Sequence, residues 1–144
     1  TAWDPVAVDT VQALLAANGR IYAGGYFTSV GSTPATRNFA AAFDPATGAL
    51  DDWNPDVDTG RGGAVFALAT TPDGIVLGGT FGSVNGGAQT RSNIAEVDAS
   101  TGTAVAGWDP NATDPEIGTW GAVRGRRRVG AAAAAAHGCH RKGG

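Results

Sequence analysis

Histidine and cysteine are missing from residues 1–123 of this 144-residue chain; both histidines and the single cysteine lie between positions 137 and 140. No Ser-His-Asp or Cys-His arrangement can form within that stretch, which argues against nucleophilic hydrolysis. Lysine is as scarce. Lys142 is the only one, so there is no P-loop lysine, and Gly60-Arg61-Gly62-Gly63 leads to Val65 where a dinucleotide-binding loop needs its third glycine. That segment reads as a connecting loop. No apolar run approaches the ~20 residues that span a bilayer, and no basic segment followed by an apolar one opens the chain, so no membrane span is expected. Cys139 alone supplies no disulfide framework. Nothing in the residues calls for a cofactor.

What the chain does have is internal repetition. Trp3-Asp4-Pro5, Trp53-Asn54-Pro55 and Trp108-Asp109-Pro110 punctuate it, and the segments between them match in order. Val11, Ala13 and Leu14 answer to Val65, Ala67 and Leu68. Gly24-Gly25-Tyr26-Phe27 answers to Gly78-Gly79-Thr80-Phe81, and Ser29-Val30 to Ser83-Val84. Thr36-Arg37 pairs with Thr90-Arg91, and Asn38-Phe39-Ala40 with Asn93-Ile94-Ala95. Asp44-Pro45-Ala46-Thr47-Gly48 pairs with Asp98-Ala99-Ser100-Thr101-Gly102. A period of roughly 20–50 residues marks solenoids, propellers and arrays, whose units bury their apolar faces on neighbours.

Within a unit the apolar runs are short, rich in β-branched and aromatic residues, and bounded by turn residues. They predict strands at Val11 to Ala16, Ile21 to Phe27, Asn38 to Phe43 and Leu50 to Trp53. The second unit has the same order at Val65 to Thr70, Ile75 to Phe81, Asn93 to Val97 and Ala104 to Trp108. Asn18-Gly19 suits a hairpin turn that needs positive φ, and Pro72-Asp73-Gly74 takes that place in the second unit. Asp44 and Asp98 begin a second turn that Gly48 and Gly102 close. Four short strands per roughly 50 residues read as one propeller blade. The expectation is therefore an all-β fold of two four-stranded antiparallel blades, with Leu14, Phe27, Phe43, Leu68, Phe81 and Val97 in the apolar layers and Gly24-Gly25 and Gly78-Gly79 inside strands.

These residues resemble the bacterial delta-60 repeat, a β-propeller domain of unassigned function with units of the form V-x-A-L-A, D-G-x-I-x-x-G-G-x-F-T, R-x-N-I-A-x-x-D, T-G and W-x-P. The likeness covers residues 3 to about 120 and consists of packing and turn residues. Gly82 departs from it where Thr28 conforms, and Gly60 to Gly63 lengthen the second unit's entry. The resemblance implies a secreted or cell-surface bacterial protein, which the acidic, lysine-poor repeats also suit. A propeller closes with typically 4–8 blades, so the chain reads as a fragment of a longer array. The units are residues 1–52, 53–107 and the start of a third at 108–123, with further repeats of the same parent chain as partners.

Residues 124–144 differ in kind. All 13 acids lie before them, with four arginines, whereas they hold six basic residues and no acid. Gly, Ala and Arg dominate, including the run Ala131 to Ala136. Such a segment is either a basic low-complexity extension or an out-of-frame reading of a third unit, and it should add no packing to the blades. His137, Cys139 and His140 are too close together for a closed metal site. Arg124 to Arg128 lack interleaved aromatics, which argues against nucleic-acid binding.

Two constellations remain as candidate ligand-binding sites. Trp3, Trp53 and Trp108 would form a stacking platform for a sugar or peptide, or else wedges between blades, which their recurrence favours. Asp56 and Asp58, with Asp51 and Asp52, are the densest acids; paired carboxylates suit glycoside cleavage or Ca²⁺, but the spacing fails an EF-hand at Arg61 and Ala67. Solvated turn aspartates are the plainer reading. Arg37 and Arg91 are expected to pair with acids or carbonyls of their own unit. The function these features imply is a non-enzymatic binding or scaffolding surface outside the cell, with a protein or carbohydrate ligand. The alternative is part of a carbohydrate-active enzyme, a glycosidase or lyase, using loop carboxylates.

Overall fold

A computed structural model describes residues 3–58, 60 and 62–112. The tail and most of the third unit's start lie outside these residues. The described part is all-β, without a helix, in ten strands: β1 (Val11–Ala17), β2 (Arg20–Gly25), β3 (Ser29–Val30), β4 (Ala35–Thr36), β5 (Ala40–Phe43), β6 (Ala64–Thr70), β7 (Ile75–Thr80), β8 (Ser83–Val84), β9 (Gln89–Thr90) and β10 (Ile94–Val97). They form two three-stranded antiparallel sheets, β1-β2-β5 and β6-β7-β10, each with a two-stranded ladder beside it, β3-β4 and β8-β9. The short ladders have no counterpart among the expected strands.

Turn chemistry sets the hairpins. Asn18 and Gly19 both take positive φ, 53° and 70°, and bring Ala17 opposite Arg20. Both β1–β2 and β6–β7 carry a register shift at the same place in the repeat, between Val11 and Ala13 and between Val65 and Ala67. The third strands start later than expected because Phe39 and Asn93 have φ of 65° and 64°, which no extended strand accommodates.

The fourth strands expected at Leu50 to Trp53 and Ala104 to Trp108 shrink to single bridges, Phe43 to Leu50 and Val97 to Ala104. In the first unit the Asp51 carboxylate accepts the Trp53 N–H at 2.9 Å and turns the chain out of the sheet. In the second, Gly107 bends away with φ 76°. Each sheet is therefore three-stranded.

Cross-strand register separates the faces. Tyr22 is the partner of both Leu15 and Ala42, and the three share one face of the first sheet; Leu14, Ala23 and Ala41 share the other. The first group enters a buried layer with Trp53, Val57, Val65, Ile75, Leu77, Phe81, Val84, Ala95 and Val97 of the second unit. The first sheet thus packs against the second. Tyr22 meets the Trp53 ring edge-on at 4.9 Å and donates its hydroxyl to the Ala99 carbonyl at 2.7 Å. Gly24 lies so near that a Cβ there would stand 2.6 Å from Val65 Cγ1.

The packing is head to tail. Leu77, Ala95 and Val97, which face the first sheet, are the structural equivalents of Ala23, Ala41 and Phe43, which face away from the second; Ala95 thus answers to Ala41 and not, as expected, to Ala40, because Asn93 takes the positive-φ place of Phe39 and not of Asn38. Leu14 shows the consequence. Expected in an apolar layer, it is instead 67 % exposed, while its equivalent Leu68 packs against the layer between the sheets. The local pattern is the same; only Leu68 has a neighbouring sheet to cover it. Phe27, Phe43, Phe81 and Val97 are buried as expected.

Candidate functional site

Each repeat builds its junction in the same way. An aspartate opens a turn whose free N–H groups its side chain satisfies: Asp44 accepts from Ala46 and Thr47 N–H, both at 2.8 Å, and Asp98 from Ser100 and Thr101 N–H, also at 2.8 Å. These bonds hold both carboxyls below the usual carboxylate range, with the Thr47 and Thr101 backbone bonds the main causes. Gly48 and Gly102 close the turns with φ of 75° and 84°. A tryptophan then docks on the turn. Trp3 Nε1 donates to the Asp44 carbonyl at 3.1 Å, and Trp53 Nε1 to the Asp98 carbonyl at 2.9 Å.

The three tryptophans do not converge. Trp53 is fully buried between the sheets. Trp108 packs with Ala69, Val76 and Ile94 on the far face of the second sheet. Trp3 makes the same bond as Trp53 but is 38 % exposed, because no Tyr22 equivalent lies over it. Among the described tryptophans only Trp3 is exposed, as is Leu14 of the same unit.

Asp56 and Asp58 flank one feature, the turn at Asn85 to Gly87. A Cβ on Gly86 would stand 3.1 Å from Asp56 Oδ2, and one on Gly87 3.8 Å from Asp58 Oδ2. Asp56 accepts the Asn38 amide at 2.8 Å, and Asp58 accepts the Gly60 N–H at 2.9 Å while its backbone bridges to Ser83. Asp51 is held elsewhere. Its carboxylate bonds Arg20 Nε at 2.9 Å, which raises the Arg20 pKa chiefly through that bond. Among the described residues no group of three or more His, Cys, Asp or Glu is placed to hold a metal ion.

Arg37 and Arg91 do pair with carbonyls of their own unit. Arg37 donates to Thr36 and Asp51 carbonyls at 2.9 and 3.1 Å, and Arg91 to the equivalent Thr90 and Val105 carbonyls at 2.7 and 3.4 Å. They brace the start of each chain reversal.

Asn85 is not marked by the repeat pattern, yet it is central to the second unit's junction. Its Nδ2 donates to the Pro55 and Gly102 carbonyls at 3.3 and 3.0 Å, and its Oδ1 accepts the Ala104 N–H at 2.9 Å. One side chain thus ties the unit's entry, its middle and its closing turn. The available signal was the mismatch with Gly31, its repeat equivalent.

The chain matches no protein-family model, no curated protein and no solved structure. Among the described residues no helix is long and apolar enough to cross a membrane.

Proposed function

We propose that this chain carries consecutive blades of a propeller-type repeat array of the delta-60 kind, whose role is a non-enzymatic binding or scaffolding surface outside the bacterial cell. The observation that carries this reading is the head-to-tail interface. One face of the first sheet, with Tyr22 and Gly24, covers Trp53 and Val65 of the second unit. The equivalents of those covered residues, Trp3 and Val11, are 38 % and 40 % exposed, and Leu14 beside them 67 %. A surface whose repeat equivalent is a packed interface is suited to another unit of the same kind.

An indole buries up to ~250 Å², so covering the open fraction of Trp3 removes roughly 95 Å² from water, worth about 2 kcal/mol at ~25 cal/mol/Å². Further repeats of the parent chain are thus the first partners, and a protein or carbohydrate bound on the completed array is the second. Asp56 and Asp58 belong to turn and entry structure in this reading. The test is turnover of acidic and neutral polysaccharides by the full-length parent protein, with Asp52→Asn, Asp56→Asn, Asp58→Asn and Asp109→Asn variants beside it. Binding without turnover is expected. Turnover lost in those variants would establish the carbohydrate-active enzyme instead.

A further inference from the structure

The segments 29–36 and 83–90 have equal length and the same ladder, and between the valine and the closing threonine they differ at every position, beginning with the residue after the valine. In the second unit this is Asn85, with φ 55°, whose backbone N–H bonds the Pro55 carbonyl at 2.7 Å. Its carboxamide fills the space beyond, donating to Pro55 and Gly102 and accepting from Ala104. The assignment of its oxygen and nitrogen is fixed by these partners, since two are carbonyls and one is an N–H.

In the first unit the residue is Gly31, with φ 92°, and its N–H is shared between the Pro5 carbonyl at 3.0 Å and the Val6 carbonyl at 2.8 Å. Both residues take positive φ and bond the proline carbonyl, but the turns diverge after them, where Gly86 and Gly87 have positive φ and Ser32 and Thr33 do not, and at Gly31 the side chain is gone. An open cleft of about 240 Å³ lies there, and Asp4, Pro5, Val30, Phe43, Gly48 and Leu50 are among the residues that line it. Three lining residues, Pro5, Gly48 and Leu50, are the repeat equivalents of Pro55, Gly102 and Ala104, whose two carbonyls and one N–H the Asn85 side chain meets. The Leu50 bridge to Phe43 leaves the Leu50 N–H outside the pairing, since the bonds run from Asp44 to Ala49 and from Asp51 to Ala42.

We propose that the pocket beside Gly31 binds a primary carboxamide on a short apolar stem, in the place that the Asn85 side chain occupies in the second unit. Two acceptors and one donor match an –NH₂ and a C=O on one carbon, and Val30, Phe43 and Leu50 supply the apolar wall. Asp4 in the lining disfavours a carboxylate of the same shape. A small free amide and the asparagine side chain of a partner protein present this same chemistry.

The experiment tracks the backbone amides of the ¹⁵N-labelled full chain during titration with propionamide. Expected is a saturable shift of the Leu50 amide, with a Kd on the order of 1–10 mM as befits a five-atom ligand. N,N-Dimethylpropionamide, which has no donor, and propionate should bind at least ~10-fold more weakly, a difference of about 1.4 kcal/mol. Gly31→Asn should abolish the shift, and Asn85→Gly should create a second site read at the Ala104 amide. An asparagine residue blocked at both ends, titrated in parallel, assigns the source: binding as tight as propionamide indicates a partner's side chain, and binding of propionamide alone a free amide. The proposal is overturned if the Leu50 amide shows no saturable shift, or if the dimethylated amide binds as well as propionamide. That comparison is made on the unsubstituted chain, so it stands even if Gly31→Asn fails to fold.

Discussion

Trp53→Ala tests the interface between the sheets, and Trp3→Ala is its internal control. The two residues make equivalent hydrogen bonds, to the Asp44 and Asp98 turns, and differ in cover: Trp53 is 0 % exposed and Trp3 38 %. Truncating a fully buried tryptophan costs about 3–5 kcal/mol, from lost transfer energy and the cavity left behind. For Trp3 the open fraction already forgoes about 2 kcal/mol of burial, so its removal should cost about 1–3 kcal/mol. Against a total stability of roughly 5–15 kcal/mol, the first change halves the margin or removes it. Trp53→Phe keeps most of the ring and loses the bond to Asp98, for about 1 kcal/mol, and serves if the alanine variant does not fold. Urea unfolding followed by far-ultraviolet circular dichroism gives each value from the midpoint and slope. Equal losses for Trp3→Ala and Trp53→Ala would refute the claim that the second sheet's tryptophan is covered by the first sheet.

Gly24→Ala should cost about 1–3 kcal/mol, because the new methyl meets the Val65 side chain, which can shift; Gly25→Ala should cost more, because it meets the Thr10 carbonyl at 2.1 Å, and the same unfolding assay ranks them. Asn85→Ala removes three hydrogen bonds and puts a Cβ residue without local compensation at φ 55°, for a loss of about 2–4 kcal/mol read as a lower melting midpoint. Asp44 and Asp98 have lowered pKa values in the folded chain, so their contribution is present above the unfolded carboxylate value of about 3.9 and is lost as pH falls through the folded values. The urea midpoint should therefore fall on acidification below about pH 4–5, and less steeply in the Asp44→Ala, Asp98→Ala double variant.

Strands, hairpins and the glycine pairs were legible because they depend on local chemistry. Asn18-Gly19 and the Asp44 and Asp98 turns need only their own residues to form. Leu14 was not, since its exposure depends on whether a sheet lies over it, and an alternating pattern carries no such information. The loss of the fourth strands depends on Asp51 capturing the Trp53 N–H and on the bend at Gly107, neither of which alternation records. The three tryptophans were visible as repeat markers, but their division among separate layers required the head-to-tail register. Asn85 stood in plain sight opposite Gly31. Its meaning appeared only when the carbonyls of Pro55 and Gly102 and the N–H of Ala104 were seen around it.

The central claim is that the outward face of the first sheet is an unfilled copy of the interface between the two sheets. It is tested by placing a second copy of residues 3–52 ahead of Trp3, which recreates the Asp52 to Trp53 junction, and labelling the tryptophans with fluorine. The measurement is the accessibility of the original Trp3 ring to a soluble paramagnetic quencher. Protection of Trp3 to the level of Trp53, with a gain in stability of about 2 kcal/mol, is the predicted result. A Trp3 resonance as accessible as in the parent chain would contradict it.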